Sequence, residues 1–255
     1  FQNLPIKNSS EILFKGISGL TSLYELGLDL RKTGFTDQEA IEFAEKTLPN
    51  LKNLKDLRLA FNFTLLTDHG WSAIFKSLKE NFAGNLKTLA LCLSKNNITD
   101  RSFQEFSCEV VPLLENLVDF RLWIDQTALT DKSLVPLCQN IKHLAANLKV
   151  FVLSASGTSG TDEMVDTFTL EALPLMKNVE HFHFWFPGPN MTDQSLVKFF
   201  EALSGDILVN VKKLWLSFVE TEITDESLTI FAEKVVPTLI KLQELHFSSG
   251  GTTIS

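Results

Sequence analysis

The dipeptide Thr-Asp recurs at Thr36-Asp37, Thr67-Asp68, Thr99-Asp100, Thr130-Asp131, Thr161-Asp162, Thr192-Asp193 and Thr224-Asp225, at intervals of 31, 32, 31, 31, 31 and 32 residues. A period this regular points to stacked copies of one supersecondary unit. Each unit can be counted from the apolar residue that opens it: Leu23, Leu54, Leu86, Leu117, Leu148, Val179, Val211 and Leu242. Positions one, four and six are then Leu, Val or Phe in all eight units, and position eight is apolar in every unit but the last, which has Ser249. Period-two alternation in such residues predicts a β-strand.

Thr-Asp follows that strand and predicts a helix start. The Thr side chain can cap the first turn, and the Asp suits the positive end of the helix dipole. Thr36 with Glu39 fits a capping box. Apolar residues at positions eighteen, twenty-one and twenty-five, such as Leu134, Leu137 and Ile141, continue one helical face. The same register places Trp71 in the core.

No single unit can bury its apolar side alone, but stacked units can. The expected fold is α/β: a curved parallel sheet inside and helices outside. About eight repeats fill residues 23–255, and residues 1–22 form a partial N-terminal repeat or cap. Eight strands span roughly 34 Å. The solenoid is expected to continue beyond the chain, because the eighth strand opens without a following helix or polar cap.

The L-x-x-L-x-L cores, such as Leu86, Leu89 and Leu91, and the Ile/Leu-Thr-Asp turns resemble the leucine-rich repeat family. The turns are similar to those of the ribonuclease-inhibitor-like subtype and of the cysteine-containing subtype of F-box proteins. Two features depart from the family. Position nine, usually Asn or Cys, is here Arg31, Asn62, Ser94, Asp125, Ser156, Pro187, Val219 and Gly250. Two extra residues also precede the Thr-Asp turn.

A longer period lies over the first. Position twenty-seven is Pro49, Pro112, Pro174 and Pro237 in the odd units, but Glu80, His143 and Gly205 in the even ones. This suggests a paired module of about 62 residues. Position five alternates too, with Arg58, Arg121, His183 and His246 in even units and Gly27, Ala90, Val152 and Trp215 in odd units. With positions four, six and eight turned inward, positions three, five and seven face the concave side. Asp56 can pair with Arg58 there, and Asp119 with Arg121.

The run His181–Phe186, HFHFWF, is positions three to eight of unit six. Phe182, Phe184 and Phe186 should be core, and His181, His183 and Trp185 should line the concave face beside Trp123 and Trp215. Trp and Arg are favoured anchors of protein interfaces. The candidate partner-binding residues are therefore Arg58, Arg121, Trp123, His181, His183, Trp185, Trp215 and His246. In the alternative, these aromatics merely pack against one another. If exposed, the histidines would make binding pH-sensitive. His181 and His183 lack a third ligand nearby in sequence, so no metal is expected.

Several functions are disfavoured. The net charge of −8 and a pI near 5.2 repel phosphate backbones, so no nucleic-acid partner is expected. No apolar run approaches the ~18 residues that span a bilayer, so no direct membrane insertion is expected. No nucleotide-binding, metalloprotease or hydrolase motif occurs, and neither an enzyme nor a cofactor is expected. The glycine-rich stretch Ser154–Thr161 reads as a variant of the repeat turn rather than a phosphate cradle. Cys92, Cys108 and Cys138 lack CxxC spacing and suit reduced thiols in an intracellular, cytoplasmic protein. The sequons at Asn8, Asn62, Asn97 and Asn190 argue weakly against this, because two of them use the Thr of the repeated turn.

The sequence therefore predicts a non-enzymatic scaffold that binds a protein partner on its concave face. Two alternatives stay open: the substrate-reading part of an F-box-type ubiquitin-ligase adaptor, and a subunit of a larger cytoskeletal or membrane-associated complex.

Overall fold

A computed structural model describes residues 9–82, 84–186 and 188–250. Eight five-residue strands form one parallel sheet in sequence order: β1 Glu25–Asp29, β2 Asp56–Ala60, β3 Thr88–Cys92, β4 Asp119–Trp123, β5 Val150–Ser154, β6 His181–Trp185, β7 Lys213–Ser217 and β8 Glu244–Ser248. Each strand comprises positions three to seven of its unit. The register sets equivalent positions side by side, so that Phe151 pairs Phe182 and His183 pairs Trp215. This is the α/β solenoid expected from the period, and it fits the leucine-rich repeat resemblance.

Helix α1, Ser9–Ser18, precedes the first strand and seals that end of the core with Phe14 and Ile17. The other helices each follow a strand. They are α2 Asp37–Glu42, α3 Asp68–Phe82, α4 Asp100–Glu105, α5 Asp131–Ala145, α6 Asp162–Glu171, α7 Asp193–Leu203 and α8 Asp225–Ile230. Positions four and six are buried from β1 to β7. In β8, which has a strand on one side only, Leu245 is 45% exposed. The inward phenylalanines stack along the solenoid axis. Phe151, Phe168, Phe182, Phe184 and Phe186 form one aromatic run with ring separations of 4.6–6.5 Å. Trp71 is fully buried between Phe61 and Phe75, as its register requires.

The paired period appears in the helices. Those of units two and four run unbroken for 15 residues. Helices α2, α4 and α8 stop after 6 residues and continue as a π turn and then a 3₁₀ turn. Unit five has the 3₁₀ turn alone. Pro49, Pro112, Pro174 and Pro237 each occupy the middle of such a 3₁₀ turn. Proline has no amide hydrogen, and its ring collides with the carbonyl four residues back, so the α-helical ladder must open before it.

The Asp of each Thr-Asp pair does more than face a helix dipole. From Asp37 to Asp193, its carboxylate accepts the backbone N–H of the next unit's Thr at 2.7–3.0 Å and that Thr's hydroxyl at 2.5–2.7 Å. Six rungs thus tie seven units together. In five helices, His69, Arg101, Lys132, Glu163 and Glu226 donate their backbone N–H groups to the same Thr oxygens at 3.2–3.3 Å. Among the described residues, no such Asp pairs with Thr36. Glu39 of the capping box accepts its N–H at 2.8 Å and also its hydroxyl, the same two bonds. Where the ladder is tightest, Ser102 and Ser133 donate a third bond to Asp68 and Asp100 at 2.6 and 2.5 Å. The equivalent residue in unit two is Gly70, where a Cβ would lie 2.6 Å from Asp37 Oδ1.

A second ladder runs through the return segments. Asn53, Asn116, Asn147, Asn178 and Asn210, each one residue before position one, donate to a carbonyl of the preceding unit at 2.8–3.0 Å. Position nine is Asn only at Asn62, so no continuous Asn or Cys ladder runs there, but Asp125 accepts the Ser94 hydroxyl at 3.0 Å and the Ser156 N–H at 3.1 Å. Pro187, the position-nine residue of unit six, lies outside the described residues, as does the sequon at Asn8.

The two extra residues before Thr-Asp form a tight turn. Position ten is left-handed in every complete unit, at Lys32, Phe63, Lys95, Gln126, Gly157, Gly188 and Glu220. Thr33, Thr64, Thr127, Thr158 and Thr221 lock the turn by donating to the position-eight carbonyl at 2.7–2.8 Å. The glycine-rich stretch of unit five is this same turn, with Gly157 at φ 71°.

Candidate functional site

The sheet face turned away from the helices presents positions three, five and seven. All eight candidate residues stand on it, but the sheet divides them into two neighbouring sets. On β6 to β8 the side chains are large and in mutual contact. His183 lies flat on Trp215, with centroids 4.4 Å apart and rings within 3° of parallel. His246 covers Trp215 from the next strand at 4.3 Å. Trp185 closes the group at 6.3 Å from His183 and 6.4 Å from Trp215. The Trp215 indole N–H donates to Glu244 at 3.1 Å, and Lys213 holds the other Glu244 oxygen at 2.9 Å. These contacts fix the Trp215 ring in place.

On β1 to β3 four of these positions carry small residues. Gly27, Ala60, Ala90 and Cys92 leave a basin of about 530 Å³ whose walls are Asp29, Arg58, Arg121 and Trp123. Arg121 grips Asp119 through two hydrogen bonds of 2.8 and 2.9 Å. Arg58 bridges Asp56 at 2.7 Å and Glu25 at 3.2 Å. Both expected Arg–Asp pairs are present. Such half-exposed pairs add little stability, but they hold the guanidinium groups in place as basin walls. The register sets Trp123 beside Ser154, and Ser154 beside Trp185, at position seven of three consecutive strands.

Burial sets the protonation of this face. It pushes the His183 imidazole down to about 4, with the positive neighbours His181 and Arg121 adding to the effect. It also lowers His181, aided by Lys213 and Arg121. His183 is therefore uncharged near neutral pH. Its Nε2 is buried, and among the described residues no hydrogen-bond partner satisfies it. Burial raises the Asp56 carboxyl against the pull of Arg58, and raises the Cys92 thiol. The hydrogen bond from Lys213 lowers Glu244.

Among the described residues, no three His, Cys, Asp or Glu side chains converge as a metal site would require, and no helix is long and apolar enough to cross a membrane. Two features escaped the sequence reading. The basin floor is built from missing side chains, and its signal was Gly27 and Ala90 at position five and Ala60 and Cys92 at position seven in the first three units. The direct His183–Trp215–His246 contact joins consecutive units, whereas the alternating pattern draws attention to every second one. Val152, placed on this face by its position, is only 1% exposed, so it supports the neighbouring side chains and offers no contact surface.

No known protein family and no curated protein matches the sequence. Among solved structures, the fold is similar to an internalin from Listeria monocytogenes, with TM-score 0.47 and 15% identity over 94% of this chain and 65% of that one. It is also similar to the Arabidopsis receptor kinase HAESA, solved in complex with the peptide hormone IDA and the co-receptor SERK1, with TM-score 0.39 and 15% identity over 81% of this chain and 36% of that one. The chain thus spans less than two thirds of the length of either neighbour, and likeness at this distance concerns the fold alone.

Proposed function

We propose that this chain is a non-enzymatic scaffold that takes a protein partner on its concave sheet face. The observation that carries the reading is the preorganised aromatic set on β6 to β8. Trp185 and Trp215 are half-buried and held by ring stacking and by Glu244, so binding would cost little side-chain entropy. The basin beside them, walled by Arg58, Arg121 and Trp123, supplies a recess for an anchoring side chain. Together they form a recess flanked by a flat aromatic shelf, which suits a protein surface better than a small substrate. Exposed Cys108 and the absence of disulfides among the described residues support an intracellular setting. The Thr-Asp turns keep a ribonuclease-inhibitor-like or F-box-like subtype within this proposal.

The test is affinity capture with mass spectrometry, comparing the wild type with Trp123→Ala/Trp185→Ala after circular dichroism shows both are folded. A partner lost only from the double variant supports the concave site. Unchanged capture moves the interface to the convex helices.

A further inference from the structure

Among the left-handed turns that follow the strands, unit two is unlike the rest. Position ten is elsewhere Lys, Gln, Glu or Gly, but here it is Phe63, at φ 59° and 42% exposed. A left-handed conformation is strained for any residue with a Cβ, and a bulky apolar side chain at a solvent-facing turn recovers nothing by burial. Leu65, two residues on, is 60% exposed. Lys32 and Lys95 occupy the same position in the two adjacent units and aim at the Phe63 ring, 5.5 and 4.6 Å from its centroid. Neither lysine has a carboxylate partner among the described residues. Lys213 on the sheet face and Lys79, Lys142, Lys198 and Lys234 on the convex side are paired, while Lys32 and Lys95 face the ring.

The charge around this patch runs against that of the whole chain. Positions nine to thirteen of units one to three contain Arg31, Lys32 and Lys95 and no acidic residue, in a protein of net charge −8. The same positions in unit seven carry Glu220 and Glu222. Unpaired cations around an exposed strained aromatic are arranged for a ligand that is both anionic and apolar. The turn also lies three residues beyond Ala60, which lines the basin.

We propose that the rim of Lys32, Phe63, Leu65 and Lys95 is a docking surface for an acidic peptide segment of a protein partner, one that brings a large apolar side chain to Phe63 and Leu65 and carboxylates to the two lysines. The proposal rests on the reading of this chain as a protein-binding scaffold and adds the partner's chemistry. A peptide fits better than a lipid surface, because two unpaired lysines and two apolar side chains give a bilayer little to hold.

The test uses fluorescein-labelled acidic peptides carrying one central Phe or Leu, and the same peptides with Lys in place of every acidic residue. Fluorescence anisotropy is read with the full chain. The acidic peptides should bind at least about tenfold more tightly than their basic counterparts. Lys32→Glu/Lys95→Glu should remove that preference, and Phe63→Ser should weaken binding. Phe63→Gly should also weaken binding while leaving the melting temperature equal or higher, because glycine relieves the turn. A structural role for Phe63 would instead lower it. No binding by any peptide, no acidic preference, or binding indifferent to these variants overturns the proposal. So does association with phosphatidylserine vesicles in place of peptides, which would make the rim a lipid contact. If Trp123→Ala/Trp185→Ala abolishes partner capture while the rim variants do not, the concave reading survives and the rim proposal fails. The opposite result overturns the concave site and leaves the rim.

Discussion

Replacing Asp100 by Ala separates a ladder from a simple helix cap. Asp100 accepts the Thr130 N–H at 2.9 Å, the Thr130 hydroxyl at 2.7 Å and the Ser133 hydroxyl at 2.5 Å. Hydrogen bonds to a charged acceptor contribute about 1.5–3 kcal/mol each. The full sum does not apply, because Thr130 is only half-buried and its hydroxyl can turn to water. Ser133 also keeps a long alternative contact to the Thr130 carbonyl at 3.4 Å. Counting the amide bond in full and the hydroxyl bonds in part gives a loss of about 3 kcal/mol. If Asp100 served only the dipole of its own helix, the loss would be about 0.3–1 kcal/mol. The two accounts also differ in place. The ladder predicts that Asp100→Ala speeds amide exchange at Thr130, in the next unit, and that Asp100→Ala with Thr130→Val is strongly non-additive. Urea denaturation, hydrogen exchange and the double-mutant cycle measure all three. A loss below about 1 kcal/mol with Thr130 exchange unchanged would refute the ladder as a stabilising element.

Two further outcomes test the core and the aromatic shelf. Phe184→Ala should cost about 3–5 kcal/mol, because the ring is fully buried against Phe168, Phe186 and Phe199 and its removal leaves a cavity; a urea midpoint near wild type would show that the stack closes the gap. His183 titrates at about 4 when folded and near 6.5 when unfolded, so the unfolded chain binds the extra proton between these values. Its contribution is fully present above pH 6.5, shrinks as the pH falls and is gone below about 4, a change of about 1–2 kcal/mol once solvent screening of the half-exposed ring is allowed for. His183→Phe should flatten the stability–pH profile over that window, and an unchanged slope would place the buried proton linkage elsewhere.

Strands were legible because burial repeats every second residue. Leu89 and Leu91 need only a side that faces the helices, and a period of two encodes that locally. Helix starts were legible because Thr capping acts within one turn. The partner of Asp68 was hidden for a different reason. Its carboxylate leaves its own unit and binds Thr99, 31 residues later. The interval that marks the repeat is also the length of the contact, and a sequence period alone does not distinguish copying from touching. The same holds for Asn116, which donates to the Gly84 carbonyl 32 residues earlier. The candidate site divides along this line too. The orientation of His183, Trp185 and Trp215 follows from strand parity, so their shared face could be read. That His183 lies flat on Trp215 depends on the register of two strands, and the basin depends on what Gly27, Ala60 and Ala90 lack.

That contrast bears on how a binding face can change while the fold persists. Positions four and six, the Thr-Asp rungs and the return asparagines each have partners in neighbouring units, so substitution there disturbs the stack. Positions five and seven face away from it and tolerate glycine, arginine, histidine or tryptophan on identical backbones, as Gly27, Arg58, His183 and Trp215 show. The filled half of the sheet is accordingly rigid and aromatic, and the open half is a recess with fixed arginine walls. The two halves differ in side-chain volume and not in strand geometry. Exchanging the small residues of β1 to β3 for larger ones should therefore erase the recess without cost to the ladders, and a recess-dependent partner would be lost from a solenoid whose stability is unchanged.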